Sequence, residues 1–273
     1  MKSVLVFQAE STVAQAIPGA RLFACFDEVG RGCLAGPVVA GCTLWRAGAP
    51  GTPLTTLLGA VDDSKKLSPA VRERVTREAR ALIPWSDSWD THQTDLTAID
   101  LASPHAKAFD FDTFPDAKGT ASFRPLSGGL GLATSLEIDK HNIWRCVQLA
   151  MARAFALALC AAGLTDSDAL AQGLVLIVDG KLGISVAPPF AGVPQVACVK
   201  GDGRFVGLGL SSIVAKVARD AYMTEQAATH PAYGFERHKG YGTAEHLAAL
   251  RTHSPIPLHR LTFLRSLAGS PRF

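Results

Sequence analysis

Four acidic residues of this 273-residue chain stand where apolar runs end. Asp27 and Glu28 close Leu22-Phe23-Ala24-Cys25-Phe26. Asp179 closes Leu174-Val175-Leu176-Ile177-Val178 and precedes Gly180. Asp202 follows Gln195-Val196-Ala197-Cys198-Val199 within Lys200-Gly201-Asp202. If those strand ends are neighbours in one sheet, the acids converge on one cleft. Convergence of like charges is unfavourable, because each raises the pKa of the next and burial penalises the ionised form. A divalent cation reverses that balance, and hard oxygen donors suit Mg²⁺ or Mn²⁺. Two such ions, about 3.5–4 Å apart, stabilise both the entering and the leaving oxygen of an in-line displacement at phosphorus. The pattern points to the chemistry of a nuclease or polymerase site. One Asp at a strand end reads more simply as a loop starter. Four in this placement do not.

The elements that must position these acids follow from the apolar pattern. Residues 21–28 and 36–46 read as strands joined through Gly30, Gly32 and Gly36, a connection short enough for an antiparallel hairpin. Neighbouring strand residues point to opposite faces, so Asp27 and Glu28 share a site only if the strand bends, and Gly30 and Gly32 make a bend cheap. Ser68-Pro69 starts a helix that ends before Pro84. Thr134 with Glu137 suggests a capping box, opening a helix over about 135–162 that breaks near Asn142 and stops at Gly163. Residues 174–178 read as a strand buried on both faces and Gln195 to Val199 as another. Helices cover about 205–228 and 243–253. Strands first, then alternating strands and helices, predict an α/β domain with a mixed central sheet.

Between about 87 and 133 the pattern dissolves. Pro104, Pro115, Pro125, Gly119 and Ser127-Gly128-Gly129-Leu130-Gly131 punctuate it, so it reads as an insertion or flap. Residues 1–20 read as a poorly ordered extension and 266–273 as a tail, leaving 21–265 as the catalytic domain. The N-terminal apolar stretch is too short for a signal peptide, and Gln8 and Glu10 interrupt it. No 18-residue apolar run suggests a membrane span.

Bulk composition excludes little. The formal net charge is +3, too mild to prove a nucleic-acid partner. Two basic stretches could track a phosphate backbone or be solvated helix faces: Lys65, Lys66, Arg72, Arg74, Arg77 and Arg80 in one; Arg237, Lys239, Arg251, Arg260, Arg265 and Arg272 in the other. The six cysteines contain no C-x-x-C and lie mostly in apolar runs. They read as buried thiols of a reducing compartment, which makes the cytoplasm the expected location.

Seven blocks in one order resemble bacterial ribonuclease HII, of the type 2 ribonuclease H family. They are D-E-V-G-R-G at 27–32 with L-A-G-P-V-V at 34–39, D-S-K-K-L-S at 63–68, E-I-D-x-x-N-I at 137–143 with L-A-M-A-R-A at 149–154, V-D-G at 178–180, K-G-D at 200–202, S-I-V-A-K-V-A-R-D at 212–220, and Y-G-F-E-R-H-K-G-Y-G-T at 233–243 with H-R-L-T-F at 259–263. The resemblance implies a ribonuclease H-like fold with a C-terminal helical segment. It implies Mg²⁺ or Mn²⁺, two ions, held by Asp27, Glu28, Asp179 and Asp202 as metal-binding and catalytic residues. It implies cleavage of the RNA strand of RNA/DNA hybrids and of duplex DNA 5′ of embedded ribonucleotides, serving ribonucleotide removal and primer processing. Apart from the resemblance, a monomer is expected because one domain holds the whole site, and no membrane partner is expected because no long apolar run is present. Gly30, Arg31 and Gly32 would grip the 2′-hydroxyl and backbone. Tyr241 would pack on the following sugar, and Lys65 and Lys66 would hold phosphates. Lys65 and Lys66 read equally as a solvated turn, and Tyr241 as a core-edge aromatic. Asp220 is a rival fourth acid, but K-G-D matches the family's block, which leaves Asp220 structural.

Three departures from the family pattern stand out: Cys33 where proline is usual, a longer segment between Asp179 and Asp202 carrying Pro188, Pro189 and Pro194, and the stretch 87–133. Two other readings remain: a hybrid-binding protein that no longer cuts, and two-metal chemistry on a different substrate such as branched DNA.

Overall fold

A computed structural model describes residues 7–48, 61, 64–87, 108–118, 122–181, 183–185 and 190–267. The sequence-based expectations for residues 1–6, Asp63, Pro104, Gly119, Pro188, Pro189 and the tail from 268 lie outside these.

Among the described residues one mixed sheet of seven strands forms the centre, in the order β3 (Trp85–Ser86), β5 (Phe123–Ala133), β2 (Val38–Ala47), β1 (Leu22–Val29), β6 (Leu174–Asp179), β7 (Gln195–Cys198) and β4 (Phe109–Asp110). β1 (Leu22–Val29) and β2 (Val38–Ala47) pair antiparallel, from Leu22 opposite Arg46 to Val29 opposite Val39. β1 pairs parallel with β6 (Leu174–Asp179), and β6 with β7 (Gln195–Cys198). The chain ends of β1, β6 and β7 therefore lie side by side at one edge of the sheet. That places the three acid-bearing segments together, as parallel strands put their carboxyl ends on one side.

Strand alternation sorts β1 between two cores. Phe23 and Cys25 pack with Val175 and Ile177 of β6 and with Leu208, Leu210 and Ile213 of α6 (Val206–Thr229). Leu22, Ala24 and Phe26 pack with Leu174, Leu176 and Val178 and with Leu149, Ala150 and Ala154 of α4 (Ile143–Ala161). The approach of α6 is close: a Cβ on Gly41 of β2 would stand 2.4 Å from the Ser211 carbonyl. Thr43 Oγ1 of β2 donates to the Gly207 carbonyl of α6 at 2.9 Å.

The helix expected over 135–162 is two helices. α3 (Ser135–His141) begins with the Thr134–Glu137 capping box, and Asn142, at φ 68°, ends α3 and caps α4 through its side chain. α4 is long and apolar enough by composition to cross a membrane, but here it is a core helix, 61% buried over that window. α2 (Pro69–Leu82) starts at Ser68, whose hydroxyl accepts from the Val71 amide.

Two expectations are corrected. Residues 123–133 belong to no insertion: β5 (Phe123–Ala133) is a core strand antiparallel to β2 from Val38–Ala133 to Ala47–Phe123. Its glycines answer to helix packing, since a Cβ at Gly129 would stand 2.2 Å from the Ala154 carbonyl and one at Gly131 2.2 Å from that of Ala150. Upstream, β3 (Trp85–Ser86) pairs with β5, and β4 (Phe109–Asp110) pairs with β7. Nor are residues 8–16 a loose extension. They form α1 (Gln8–Ala16), with Val13 fully buried and Ala9 nearly so against the α6 face of the core.

The C-terminal part is a small third core. α7 (Phe235–His238), α8 (Ala244–Thr252) and α9 (Leu261–Leu267) gather Leu34, Ala35, Met223, Tyr233 and Phe235. A short helix, α5 (Asp166–Ala171), precedes β6.

Candidate active site

Asp27 is 6% exposed and points to the α6 side, where it is hydrogen-bonded by the Ser212 side chain. Its Oδ1 also accepts from the Glu28 amide at 2.8 Å. Burial pushes its carboxyl well above the usual range, and the charges of Glu28, Asp179 and Asp202 push it further in the same direction. The four predicted acids therefore feel one another at Asp27.

β1 runs through these residues without the expected bend: Glu28 still pairs opposite Ala40 and Val29 opposite Val39. Glu28 consequently points to the other face of the sheet from Asp27. It lines a cavity of about 350 Å³ with Trp144, Val147 and Met151 of α4, and with Val178, Asp179 and Lys181. Arg31 Nη1 donates to Glu28 Oε1 at 3.3 Å, and its guanidinium lies 4.4 Å from the Trp144 ring centre. Burial raises the Glu28 carboxyl, Arg31 opposes that, and Asp179 adds to it. The site wraps the edge of the sheet instead of lying on one face.

Asp179 and Asp202 are joined through the turn after β7. Asp179 Oδ1 accepts from the Gly201 amide at 2.6 Å. Lys200 takes a left-handed conformation, φ 56°, to start this turn, and Asp202 is 8% exposed within it. Asp220 stands elsewhere. It pairs with Lys216 one turn earlier on α6, at 2.5 Å, and is not among the carboxylates raising Asp27.

Among the described residues, no group of three or more His, Cys, Asp or Glu side chains is already arranged to hold a metal ion. The donor chemistry nonetheless fits a hard divalent cation. Carboxylates crowd at one sheet edge, Asp27 and Asp202 are nearly buried, and neighbouring acids raise Asp27. A bound cation relieves that repulsion directly.

The glycine turn beside the acids is braced from beneath by two buried arginines that sequence reasoning did not assign. Arg260 donates through Nη2 to the Gly30 carbonyl at 2.7 Å, through Nη1 to the Arg31 carbonyl at 2.9 Å and through Nε to the Gly36 carbonyl at 3.0 Å. Arg219 donates to the carbonyls of Pro37, Ala35 and Lys239 at 2.9, 3.0 and 2.9 Å. Both are fully buried. No local pattern marks them: Arg219 stands in Ala-Arg-Asp at 218–220 and Arg260 in His-Arg-Leu at 259–261. Gly30 needs to be glycine, at φ 87° with Arg219 Nε 2.1 Å from where a Cβ would be. Gly32 does not, for nothing lies within 4 Å of its Cβ position.

Tyr241 stands over the same turn. The carbonyl of Gly240 accepts from the Leu34 and Ala35 amides at 2.8 and 3.2 Å. The Tyr241 ring is 39% exposed, its hydroxyl bonds with the buried Cys33 thiol, and burial raises that hydroxyl to about 12. Cys33 thus occupies a defined position under Tyr241. Lys65 and Lys66 are exposed on a turn held by Arg72, which donates to the Ser64 and Leu67 carbonyls. Ser64 Oγ bonds to Ser212 Oγ at 2.9 Å, linking that turn to the residue that bonds Asp27.

The central block 137–143 performs structural work. Glu137 pairs with Arg153 at 2.8 Å, and Asp139 accepts from the Leu261 and Thr262 amides at 2.8 Å each, capping α9. That cap sets the entry of the segment carrying Arg260.

Comparison with known proteins agrees with this layout. A family profile described as Ribonuclease HII matches residues 24–109 and 181–266. Asp27, Glu28, Asp202 and Tyr241 fall inside the matched segments, and Asp179 lies just before the second. A ribonuclease HII of Rhodospirillum rubrum is 39% identical over 238 residues, 87% of this chain and 81% of that one. One of Geobacter sulfurreducens is 34% identical over 258 residues, 94% of this chain and 88% of that one. Among solved structures, the PCNA:RNase HII complex from Archaeoglobus fulgidus has a TM-score of 0.51 at 18% identity, covering 92% of this chain and 96% of that one. Bst-RNase HIII in complex with Mn²⁺ has 0.52 at 14%, covering 97% and 74%. Those structures share the fold, a ribonuclease H-like α/β sheet with flanking helices. By profile and by identity over most of its length, the chain belongs to the ribonuclease HII family.

Proposed function

We propose that this protein is a divalent-metal-dependent endoribonuclease that cuts the RNA strand of RNA/DNA hybrids and cuts duplex DNA 5′ of an embedded ribonucleotide. Membership of the ribonuclease HII family makes it a nuclease hydrolase. The finer reading is supported above all by one juxtaposition: Asp27, Glu28, Asp179 and Asp202 meet at a sheet edge beside a glycine turn whose Gly30 and Arg31 carbonyls are held from below by Arg260.

In this reading Asp27, Glu28, Asp179 and Asp202 hold two Mg²⁺ or Mn²⁺ ions. When bound, the ions supply a nucleophile at neutral pH and stabilise charge on the attacking and leaving oxygens. Hydrolysis adds water across the P–O3′ bond and leaves 5′-phosphate and 3′-hydroxyl ends. The protein orients the acids: Ser212 and the Glu28 amide fix Asp27, and the Gly201 amide fixes Asp179. Gly32, whose Cβ position meets none of the described residues, lets a nucleic-acid backbone approach. Gly30, Arg31 and Gly32 then face the 2′-hydroxyl that separates RNA from DNA, and Tyr241 the next sugar. Lys65 and Lys66 hold phosphates without reading sequence. The protein acts as a cytoplasmic monomer in ribonucleotide removal and primer processing.

The test is a labelled DNA duplex carrying one ribonucleotide, beside an all-DNA duplex and a long RNA/DNA hybrid, each with Mg²⁺, Mn²⁺ or EDTA. Metal-dependent cutting on the 5′ side of the ribonucleotide, with the all-DNA duplex intact, is the expected result. Equal cutting of the all-DNA duplex would replace the reading with a structure-selective DNA nuclease.

A further inference from the structure

Beneath Tyr241 lie three buried imidazoles, His238, His246 and His259, outside the acid cluster. Their partners assign every ring nitrogen. His246 Nδ1 stands 2.9 Å from the Tyr241 carbonyl, which only accepts, so Nδ1 carries the proton. The Nε2 atoms of His246 and His259 face each other at 3.1 Å, and such a pair needs one proton. In neutral His246 the proton is already on Nδ1, so His259 Nε2 donates. His259 Nδ1 is then bare and accepts the Ile256 amide at 3.1 Å, the shorter of its two contacts with that residue, whose carbonyl stands 3.3 Å away. His238 lies stacked on His246, ring centres 4.4 Å apart. It accepts the Gly240 amide on Nδ1 at 3.2 Å and donates from Nε2 to the Tyr233 carbonyl at 2.7 Å. His246 and His259 are neutral, each in one tautomer. Burial agrees, pushing His246 and His259 down to about 4.

The result is a one-way hydrogen-bond chain from the Ile256 amide through His259 and His246 to the Tyr241 carbonyl. The Tyr241 amide in turn donates to the His238 carbonyl at 2.9 Å, so both backbone groups of Tyr241 meet the histidine cluster, the carbonyl accepting also from the Thr243 amide at 2.8 Å. His259 neighbours Arg260, which holds Gly30 and Arg31. One short segment therefore sets both the glycine turn and the tyrosine.

We infer that His246 and His259 are positioning residues for recognition of the ribonucleotide–deoxyribonucleotide junction, acting by holding Tyr241 at a fixed distance from the Gly30-Arg31-Gly32 turn. This rests on the reading of Tyr241 given under Proposed function. A displacement of about 1 Å in such a group can cost on the order of a hundredfold in rate. A hydrogen-bonded relay of neutral rings resists that displacement better than apolar packing, because each link is directional.

The test measures kcat/KM for the full chain on two substrates, duplex DNA with one ribonucleotide and a long RNA/DNA hybrid, with melting curves for every variant. Tyr241→Ala sets the reference: the junction-to-hybrid ratio falls about tenfold or more. His246→Leu and His259→Leu, which fill the space without the bonds, lower the same ratio to a similar extent. His259→Gln, whose terminal amide reaches His246 and donates, restores it to within about threefold of the parent. His259→Asn, too short to reach, does not. Should the Leu variants fail to fold, the Gln and Asn pair decides alone. A normal ratio in folded His246→Leu or in His259→Asn, with Tyr241→Ala defective, overturns the relay and leaves the reading of Tyr241 standing. A normal ratio in Tyr241→Ala overturns that reading, and the inference with it.

Discussion

Arg260 donates to the carbonyl of Gly30 at 2.7 Å across 230 residues of sequence. The bond closes the glycine turn beside the acids onto the C-terminal helical segment, so the acidic edge and the turn that flanks it form one rigid piece. A buried guanidinium whose donors meet several carbonyls is a strong tie, and removing it strands those carbonyls. Arg260→Met should therefore cost about 2–5 kcal/mol of stability, read as a lower midpoint in urea unfolding. Arg260→Lys should recover little of it, since an ammonium cannot reproduce the fork. An unchanged midpoint for Arg260→Met would remove this tie from the account.

Some glycines are fixed by packing, and others, Gly32 among them, stand in open space among the described residues. Gly129→Ala places a methyl 2.2 Å from the Ala154 carbonyl, which backbone must yield to accommodate. It should destabilise by about 1–3 kcal/mol or more. Gly32→Ala meets nothing within 4 Å, so its melting temperature should match the parent's while hybrid affinity falls. Equal melting of both variants in a thermal scan would contradict the packing argument for β5.

Much of this was legible before the fold. The acids stood out because carboxylates at the ends of apolar runs have few explanations, and the resemblance to ribonuclease HII rested on seven blocks in register. β5 was not legible, because Gly128-Gly129-Leu130-Gly131 is turn chemistry locally and becomes a strand only when α4 lies against it. α1 was missed for a related reason: Glu10 reads as a surface residue until the α6 amides that it meets are known. Asp27 and Glu28 serve one site without the expected bend, because β1 stays paired through them and the site wraps the sheet edge. Arg219 and Arg260 depend on carbonyls 184 and 230 residues away, and the histidine chain on how the turns between α7, α8 and α9 fold back on one another, which no local pattern announces.

Glu10 provides a test by pH. Its side chain is buried on α1, with Oε1 accepting the Gly207 amide at 3.2 Å, and burial raises its carboxyl to about 7. Because the folded pKa exceeds the unfolded value, the contribution to stability is fully present below about 4.5 and is lost as pH rises through about 7. Glu10→Gln should thus be more stable than the parent at pH 8.5, by up to about 3 kcal/mol and with a higher melting temperature, and differ little at pH 4.5. The same gain at both pH values would show that the charge of Glu10 is not responsible.

Metal binding should register in stability without any cleavage. Adding Mn²⁺ to EDTA-treated protein should raise its melting temperature, since a ligand at a hundredfold its Kd adds about 2.7 kcal/mol. Asp27→Asn removes one repelling charge and one ligand. It should melt above the metal-free parent and gain much less from Mn²⁺. A full Mn²⁺ gain in Asp27→Asn would place the ion elsewhere.

The measurement that bears most directly on the central claim compares cleavage and binding in Asp27→Asn and Asp179→Asn, using a duplex with one ribonucleotide and Mg²⁺ or Mn²⁺. The account predicts that both variants bind the duplex nearly as the parent does while turnover falls by at least about a thousandfold. Undiminished cleavage by both variants would contradict it and move the chemistry away from the acidic edge of the sheet.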